Sequence, residues 1–215
     1  MSIRELNEDE RLRELARALA SKAEVDALVG AALDAAASFV SVGRLSLEDI
    51  LNKRGPLTPE EAERLKELPT VWAEFASQVA ELENQGVPEI IGGYCERWDG
   101  SGYPKGLAGN DIPVGARILA VCYHYNGMIS DRPYRKALPP DIAAYELRRL
   151  SGSALDPSLV DAFLEMIERL PAPSEDDDAA EDGMGREDQA QSEGPPAAKR
   201  KPKKRSSKRS RSRRK

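Results

Sequence analysis

The chain has 215 residues, with 32 Lys and Arg against 37 Asp and Glu, two cysteines and a single histidine. That length suits one ordinary domain with sequence to spare. No run reaches the ~18 apolar residues of a membrane span, and Met1–Asn7 carries no apolar leader, so a soluble, cytoplasmic protein with reduced thiols is expected rather than a disulfide scaffold.

In chain order, Asn7 and Glu10 form a capping-box-like start, after which Leu12, Leu15 and Leu19 share one face. Val25, Leu28, Val29, Ala32, Leu33 and Ala36 continue with helical spacing. Thr58-Pro59-Glu60-Glu61 places a cap, a proline at the first helical position and an acid at the third. Val71, Trp72, Phe75, Val79 and Leu82 make the stripe of another helix. Ile112-Pro113 leads into a helix over Val114–Met128, and Asp156-Pro157 repeats the cap-plus-proline start ahead of Leu159, Val160, Phe163, Leu164 and Ile167. No alternating run of β-branched residues suggests a sheet, so the expected fold is all-α.

The end of the chain is a different material. The net charge of −5 conceals three unlike blocks: 19 bases against 28 acids over Met1–Pro173, one against nine over Ser174–Ala198, and twelve against none over Lys199–Lys215. With little apolar content to offset its ordering entropy, the end should be disordered. The expected organisation is a helical domain over residues 1–172, an acidic disordered linker over 173–198 and a polybasic disordered tail over 199–215.

Four ordered stretches carry a resemblance. ILNKRGPLTPEE (Ile50–Glu61), ERWDGSGYPKGLAGNDIP (Glu96–Pro113), ARILAVCYHYNGMISDRPYRKAL (Ala116–Leu138) and LDPSLVDAF (Leu155–Phe163) are together similar to the HD-GYP family, bacterial helical domains that hydrolyse cyclic di-GMP at a multinuclear metal site. The order and spacing fit from about residue 8 to 170. The resemblance implies a bundle of about seven to eight helices. It also identifies Asp99, Gly100, Gly102, Tyr103 and Pro104 as the signature loop.

Set against the family pattern, the metal positions are lost. The HD dipeptide falls at Phe39 and Val40, and the lysine that follows it at Gly43. The next ligand is Leu68, before Pro69, and the paired histidines upstream of the signature are Tyr94 and Cys95. The ligating aspartate of the long helix is Tyr123, and the second aspartate of that motif is Asn126. A check that needs no resemblance agrees: several imidazoles and carboxylates must converge to hold hydroxide-generating metals, and the only imidazole is His124. No metal and no other cofactor is therefore expected. The apolar and aromatic replacements would fill a former cavity, and well-packed apolar side chains often match buried polar sites in stability.

Arg132 and Arg135 resemble family positions that reach substrate phosphates, and guanidinium forks suit such oxygens. They either retain a cyclic dinucleotide without hydrolysing it or pair with domain carboxylates to brace their loop. The signature loop is linked in the family to contacts with diguanylate cyclase domains, which makes such a signalling protein an expected partner. Equally, its glycines permit unusual backbone angles while Tyr103 packs it down. Cys95, Cys122 and His124 fall one ligand short of a zinc site, and residues two apart on a helix diverge. A Cys–His nucleophile lacks an orienting third group.

In the tail, Lys199, Arg200, Lys201, Lys203, Lys204, Arg205, Lys208, Arg209, Arg211, Arg213, Arg214 and Lys215 form an unmixed block without aromatics. Such a block points to sequence-tolerant, salt-sensitive contact with nucleic acid or another polyanion. Alternatively it solubilises, or folds back on the acidic residues. An anionic membrane is the next candidate, without an apolar anchor to support it.

The reading is thus a catalytically inactive HD-GYP-like regulatory or interaction module with no catalytic residue of its own. The alternatives are a residual cyclic di-GMP phosphodiesterase built around Glu96, Asp99 and Arg132, or a metal-free cyclic dinucleotide receptor. The oligomeric state is left open.

Overall fold

A computed structural model describes residues 6–45, 47–51, 53, 55–132 and 135–168. The chain divides after Pro171, so the acidic linker and the basic tail lie outside the described residues. Among those residues every regular element is helical, in the order α1 (Glu8–Lys22), α2 (Ala27–Leu45), α3 (Glu48–Leu51), α4 (Pro59–Ser77), α5 (Ala80–Asn84), α6 (Val87–Gly93), α7 (Val114–Met128), α8 (Pro140–Leu150) and α9 (Pro157–Glu168). A 3₁₀ turn covers Gly109–Asp111, and the extended backbone is limited to the isolated pairs Arg132–Arg135 and Ser151–Leu155. The all-α expectation holds.

Helix α1 forms because its first turn is capped from both directions. Asn7 Oδ1 accepts from the backbone N–H groups of Asp9 and Glu10, while the Glu10 carboxylate accepts from that of Asn7. Its buried residues Leu12, Leu15, Ala16, Leu19 and Ala20 recur at helical spacing, giving one stripe toward the core. The facing stripe of α2, Ala32, Leu33, Ala36, Ala37 and Val40, is rich in alanine, which lets neighbouring helices approach closely.

The fold is organised around α7. Ile118, Leu119, Ala120, Val121, Cys122, Tyr125 and Asn126 are all buried on it, and it packs against α1, α2, α6, α8 and α9. At the α6 contact, a β-carbon on Gly93 would come within 2.9 Å of that of Ala116. On the other side, Tyr125 meets Phe163 of α9 edge-on, with ring centroids 5.0 Å apart.

Three elements differ from the sequence expectation. The capped start at Thr58 and the stripe at Val71 and Phe75 belong to one helix, α4, which runs through Pro69 and ends at Ser77. Pro69 lacks the N–H that would bond back along the helix, yet it is one of the residues α4 buries, so apolar packing accompanies the missing bond. Leu82 falls on α5 beyond the break. Helices α6 and α8 were not anticipated, although each has Pro at its start, and α8 has Asp141 in its first turn and Arg148 and Arg149 in its last, matching the helix dipole.

A largely buried ion pair joins the start of the last helix to the central one. Arg117 Nη1 lies 2.6 Å from Asp156 Oδ2, with the side chains 16% and 5% exposed. Arg117 Nε also donates to the carbonyl of Ile112, and Asp156 Oδ1 accepts from the N–H groups of Ser158 and Leu159 to cap α9. Asp156→Ala would remove the cap and leave a nearly buried guanidinium without its partner. Chemical denaturation should show a loss of about 3–5 kcal/mol, whereas a change below about 1 kcal/mol would mean that solvent relieves the arginine.

Candidate functional site

The signature loop follows α6 and returns to the start of α7, and one buried carboxylate holds it in shape. Glu96, 4% exposed, accepts from the backbone N–H groups of Lys105 at 2.7 Å and Leu107 at 3.1 Å. Gly102 sits directly on the backbone of Glu96 and Arg97, where an added β-carbon would come within 2.3 Å of the Arg97 nitrogen. No side chain fits there without moving main chain. Gly100 and Gly106 supply the left-handed turns, with φ of 79° and 67°, and the Tyr103–Pro104 bond is cis. The N–H groups of Trp98 and Asp99 donate to the carbonyls of Ala154 and Ser153, tying the loop to the turn before α9.

Asp99 faces outward. Its carboxylate accepts from the N–H and hydroxyl of Ser101 and from Arg97, and these bonds pull its pKa down to about 2. Glu96 and Asp99 are therefore committed to the loop itself. They stand on its inner and outer sides.

Beneath the loop lies an aromatic and thiol cluster. Tyr94, at the end of α6, meets Tyr123 of α7 edge-on at 5.5 Å between centroids. The Cys95 thiol neighbours the hydroxyls of Tyr103 and Tyr94, and the Tyr103 N–H donates to the Cys95 carbonyl. Burial pushes the pKa of Tyr94 and Tyr103 upward, and that of the Cys95 thiol as well, with the neighbouring hydroxyls opposing the thiol's shift. These groups stay protonated near neutral pH, where a metal would need a thiolate or phenolate. His124, next to Tyr123, directs Nδ1 to the Ala120 carbonyl at 2.8 Å. Burial lowers its pKa, so it is a neutral ring engaged with its own helix.

The other expected metal positions meet apolar neighbours. Val40 is in the core, and Phe39 packs against it from α2, touching Trp72 and Phe75 of α4 at 6.0 and 6.2 Å between centroids. Trp72 lies over Gly43, whose β-carbon, if present, would be 2.8 Å from Nε1. Leu68 is half-buried on α4, outside that core cluster. Thus Tyr94, Cys95, Tyr103 and Tyr123 come together, Phe39 and Val40 pack nearby in the same core, and Leu68 stands apart. Among the described residues, no group of three or more His, Cys, Asp or Glu side chains is placed to hold a metal ion. The free cysteines, Cys95 and Cys122, are half-buried and buried.

Arg132 and Arg135 lie beyond the C-terminal end of α7, and both guanidinium groups are engaged. Arg132 grips Glu8 of α1 in a two-pronged contact, Nη1 to Oε2 at 3.0 Å and Nη2 to Oε1 at 2.6 Å. Arg135 donates to the carbonyls of Gly127, Met128 and Lys136, satisfying the exposed end of the helix. The sequence reading missed the neighbouring buried residue Arg11, which donates to Asn126 Oδ1 and Ser130 Oγ, both at 2.6 Å. Desolvation lowers its pKa while nearby Glu8 raises it. A cation spaced at helical intervals with Leu12 and Leu15 gives no signal of this, because its partners lie more than a hundred residues away.

A helical domain whose glycine-and-proline loop closes over a central buried helix is the class that fold and site define. The chain matches the model of the HD domain family over residues 3–159, and it belongs to that family. It is 38% identical over 136 residues to a cyclic di-GMP phosphodiesterase of Thermotoga maritima, covering 63% of this chain and 37% of that protein. It is 37% identical over 133 residues to a cyclic di-GMP phosphodiesterase response regulator of Xanthomonas campestris pv. campestris, covering 61% and 35%. The chain therefore spans about a third of the length of these curated relatives. Among solved structures, an HDG"Y"P protein from Bdellovibrio bacteriovorus shares the fold with a TM-score of 0.59, 21% identity, and coverage of 73% of this chain and 50% of that one. A cyclic GMP-AMP specific phosphodiesterase of Vibrio cholerae gives 0.58, 17% identity, and coverage of 75% and 44%. The domain is thus related to the HD-GYP phosphodiesterases.

The depressed pKa of Asp99 sets an acid limit for the loop. Its bonds stabilise the folded loop fully above the ordinary carboxylate range near pH 4, and this contribution disappears as pH falls toward 2. In a Trp72→Phe background, Trp98 emission should report loop loosening across that interval. Asp99→Asn should move the transition to higher pH or remove it, and identical profiles would show that Asp99 does not hold the loop.

Proposed function

We propose that this chain is a catalytically silent HD-GYP-like module that acts by binding a signalling partner, such as a diguanylate cyclase domain, rather than by hydrolysing a phosphodiester. The observation that carries the proposal is the packing under the signature loop. At the positions similar to the family's metal ligands stand Tyr94, Cys95 and Tyr123, packed with Tyr103, and burial raises the pKa of Tyr94 and of the Cys95 thiol. Phosphodiester hydrolysis of the kind named for the relatives draws on metals to generate hydroxide and to share phosphate charge. Phenols and a neutral thiol, with the lone imidazole turned to its own helix, supply neither.

The alternatives draw less support. A residual hydrolase around Glu96, Asp99 and Arg132 would have to recruit a carboxylate already accepting two loop N–H groups, another bound to Ser101 and Arg97, and an arginine gripping Glu8. A metal-free cyclic dinucleotide receptor would have to free Arg132 from Glu8 and Arg135 from two helix-end carbonyls and that of Lys136. A cytoplasmic location is part of the proposal, in keeping with two free cysteines, and no described helix is long and apolar enough to cross a membrane.

Metal analysis of protein purified without an affinity tag, coupled to a cyclic di-GMP turnover assay with manganese or iron added, tests this reading. The expected outcome is less than one transition metal per chain and a flat time course. Stoichiometric metal with measurable turnover would overturn it.

The basic block Lys199–Lys215 lies outside the described residues, and its role belongs to the same proposal as a tether to nucleic acid or another polyanion. Twelve cations without an acid among them release counterions on binding phosphates. Deleting Lys199–Lys215 should abolish retention of DNA or RNA in mobility shifts at low salt while leaving the far-UV circular dichroism unchanged. An unaltered shift after deletion would remove the tether.

A further inference from the structure

The signature loop also forms one wall of a groove, which suggests the chemistry of the partner. Pro104, Lys105 and Leu107 of the loop face Ala73 and Glu74 of α4 and Pro88 and Glu89 of α6 across a groove of about 370 Å³. Its lining is largely apolar where Pro88, Pro104, Leu107 and Pro113 meet. Proline has no N–H to offer, so these walls select by shape and by charge rather than by hydrogen-bond donation. The charge is one-sided. Glu74, Glu83 and Glu89 stand along the groove, all exposed, against the single cation Lys105. None of these three carboxylates pairs with a cation among the described residues, although Arg17, Lys53, Arg64, Lys66 and Arg117 in the same domain are all paired.

We infer that this groove docks an extended basic segment of a partner protein, its apolar side chains against the proline-lined floor and its arginine or lysine heads at Glu74, Glu83 and Glu89. Charge complementarity argues for that occupant. Met1–Pro173 carries 28 acids against 19 bases, and such a field draws a cationic segment toward the groove and repels an anionic one. The inference rests on the reading of the domain as an interaction module and names the kind of surface the partner must present.

The test uses the full-length protein and two fluorescein-labelled peptides, acetyl-RLPRLPRL-amide and its charge-inverted counterpart acetyl-ELPELPEL-amide, followed by anisotropy. The basic peptide should bind, with affinity falling at least tenfold between 50 and 500 mM NaCl, as expected for several exposed ion pairs. It should also weaken at least tenfold in the Glu74→Gln, Glu89→Gln double variant. The acidic peptide should bind at least tenfold more weakly, and with no change in the Glu74→Gln, Glu89→Gln double variant. The control Glu146→Gln, on α8, should leave affinity unchanged. Equal affinity for the double variant, equal affinity for the acidic peptide, or no binding of the basic peptide would each overturn the inference. A Lys105→Glu variant supplies an independent reading, since it should tighten the basic peptide, and a weaker complex would count against the groove. None of these outcomes alters metal content or turnover, so failure here is distinguishable from failure of the proposed function.

Discussion

The architecture depends on one nearly buried guanidinium. Arg117 rises from the start of the central helix and reaches Asp156 at the N-terminus of the last helix, the carbonyl of Ile112, and Asn110 in the turn that closes the signature loop. Its charged head also lies 5.8 Å from the centre of the Trp98 ring, within cation–π range. Loop, central helix and final helix therefore share one charged centre, and each partner satisfies part of a cation that would be costly to bury alone. The loop's second anchor, Glu96, accepts from two of its backbone donors. Between the two anchors, the Tyr103 N–H donates to the Cys95 carbonyl, so the loop also rests on the cluster beneath it.

A second polar assembly performs a similar task at the far end of α7. Glu8, Arg11, Asn126, Ser130 and Arg132 join the first turn of α1 to the exit of the central helix. Asn126 serves three partners at once: its Oδ1 accepts from Arg11, its Nδ2 donates to the Glu8 carbonyl, and its backbone carbonyl accepts from Ser130. An amide offers both donor and acceptor there, whereas an ionised carboxylate offers acceptors alone. At this position, similar to a family aspartate, Asn126 is part of the scaffold.

How much of this was legible in the sequence follows from the range of each interaction. The caps at Asn7 and Asp156, the stripe of α1 and the whole of α7 are local patterns, and each is where periodicity and capping chemistry place it. The positions expected to correspond to metal ligands could be named because short motifs mark them. Continuity of α4 through Pro69 was not legible, since a proline ordinarily breaks a helix and only tertiary packing decides otherwise. Nor were the partners of Arg132 and Arg135. Whether an arginine fork faces a ligand, a carboxylate or a helix end depends on side chains distant in sequence, and Glu8 lies 124 residues from Arg132. The groove beside the loop escaped for the same reason, as its walls come from α4, α6 and Pro104–Leu107.

The contact between Trp72 and Gly43 bears on which sequences this fold can reach next. The indole occupies the space that any side chain at position 43 would need, and the same ring is held edge-on by Phe39 and Phe75, at 6.0 and 5.8 Å. A larger residue at 43 is blocked until Trp72 shrinks or moves, and shrinking Trp72 first would strip both phenyl rings of a neighbour. The two positions are coupled, and their order of change is constrained: a path toward a larger side chain at 43 that begins by shrinking Trp72 crosses a less stable intermediate. Tight aromatic packing of this kind works as a lock, making the glycine beneath the indole easier to keep than to replace.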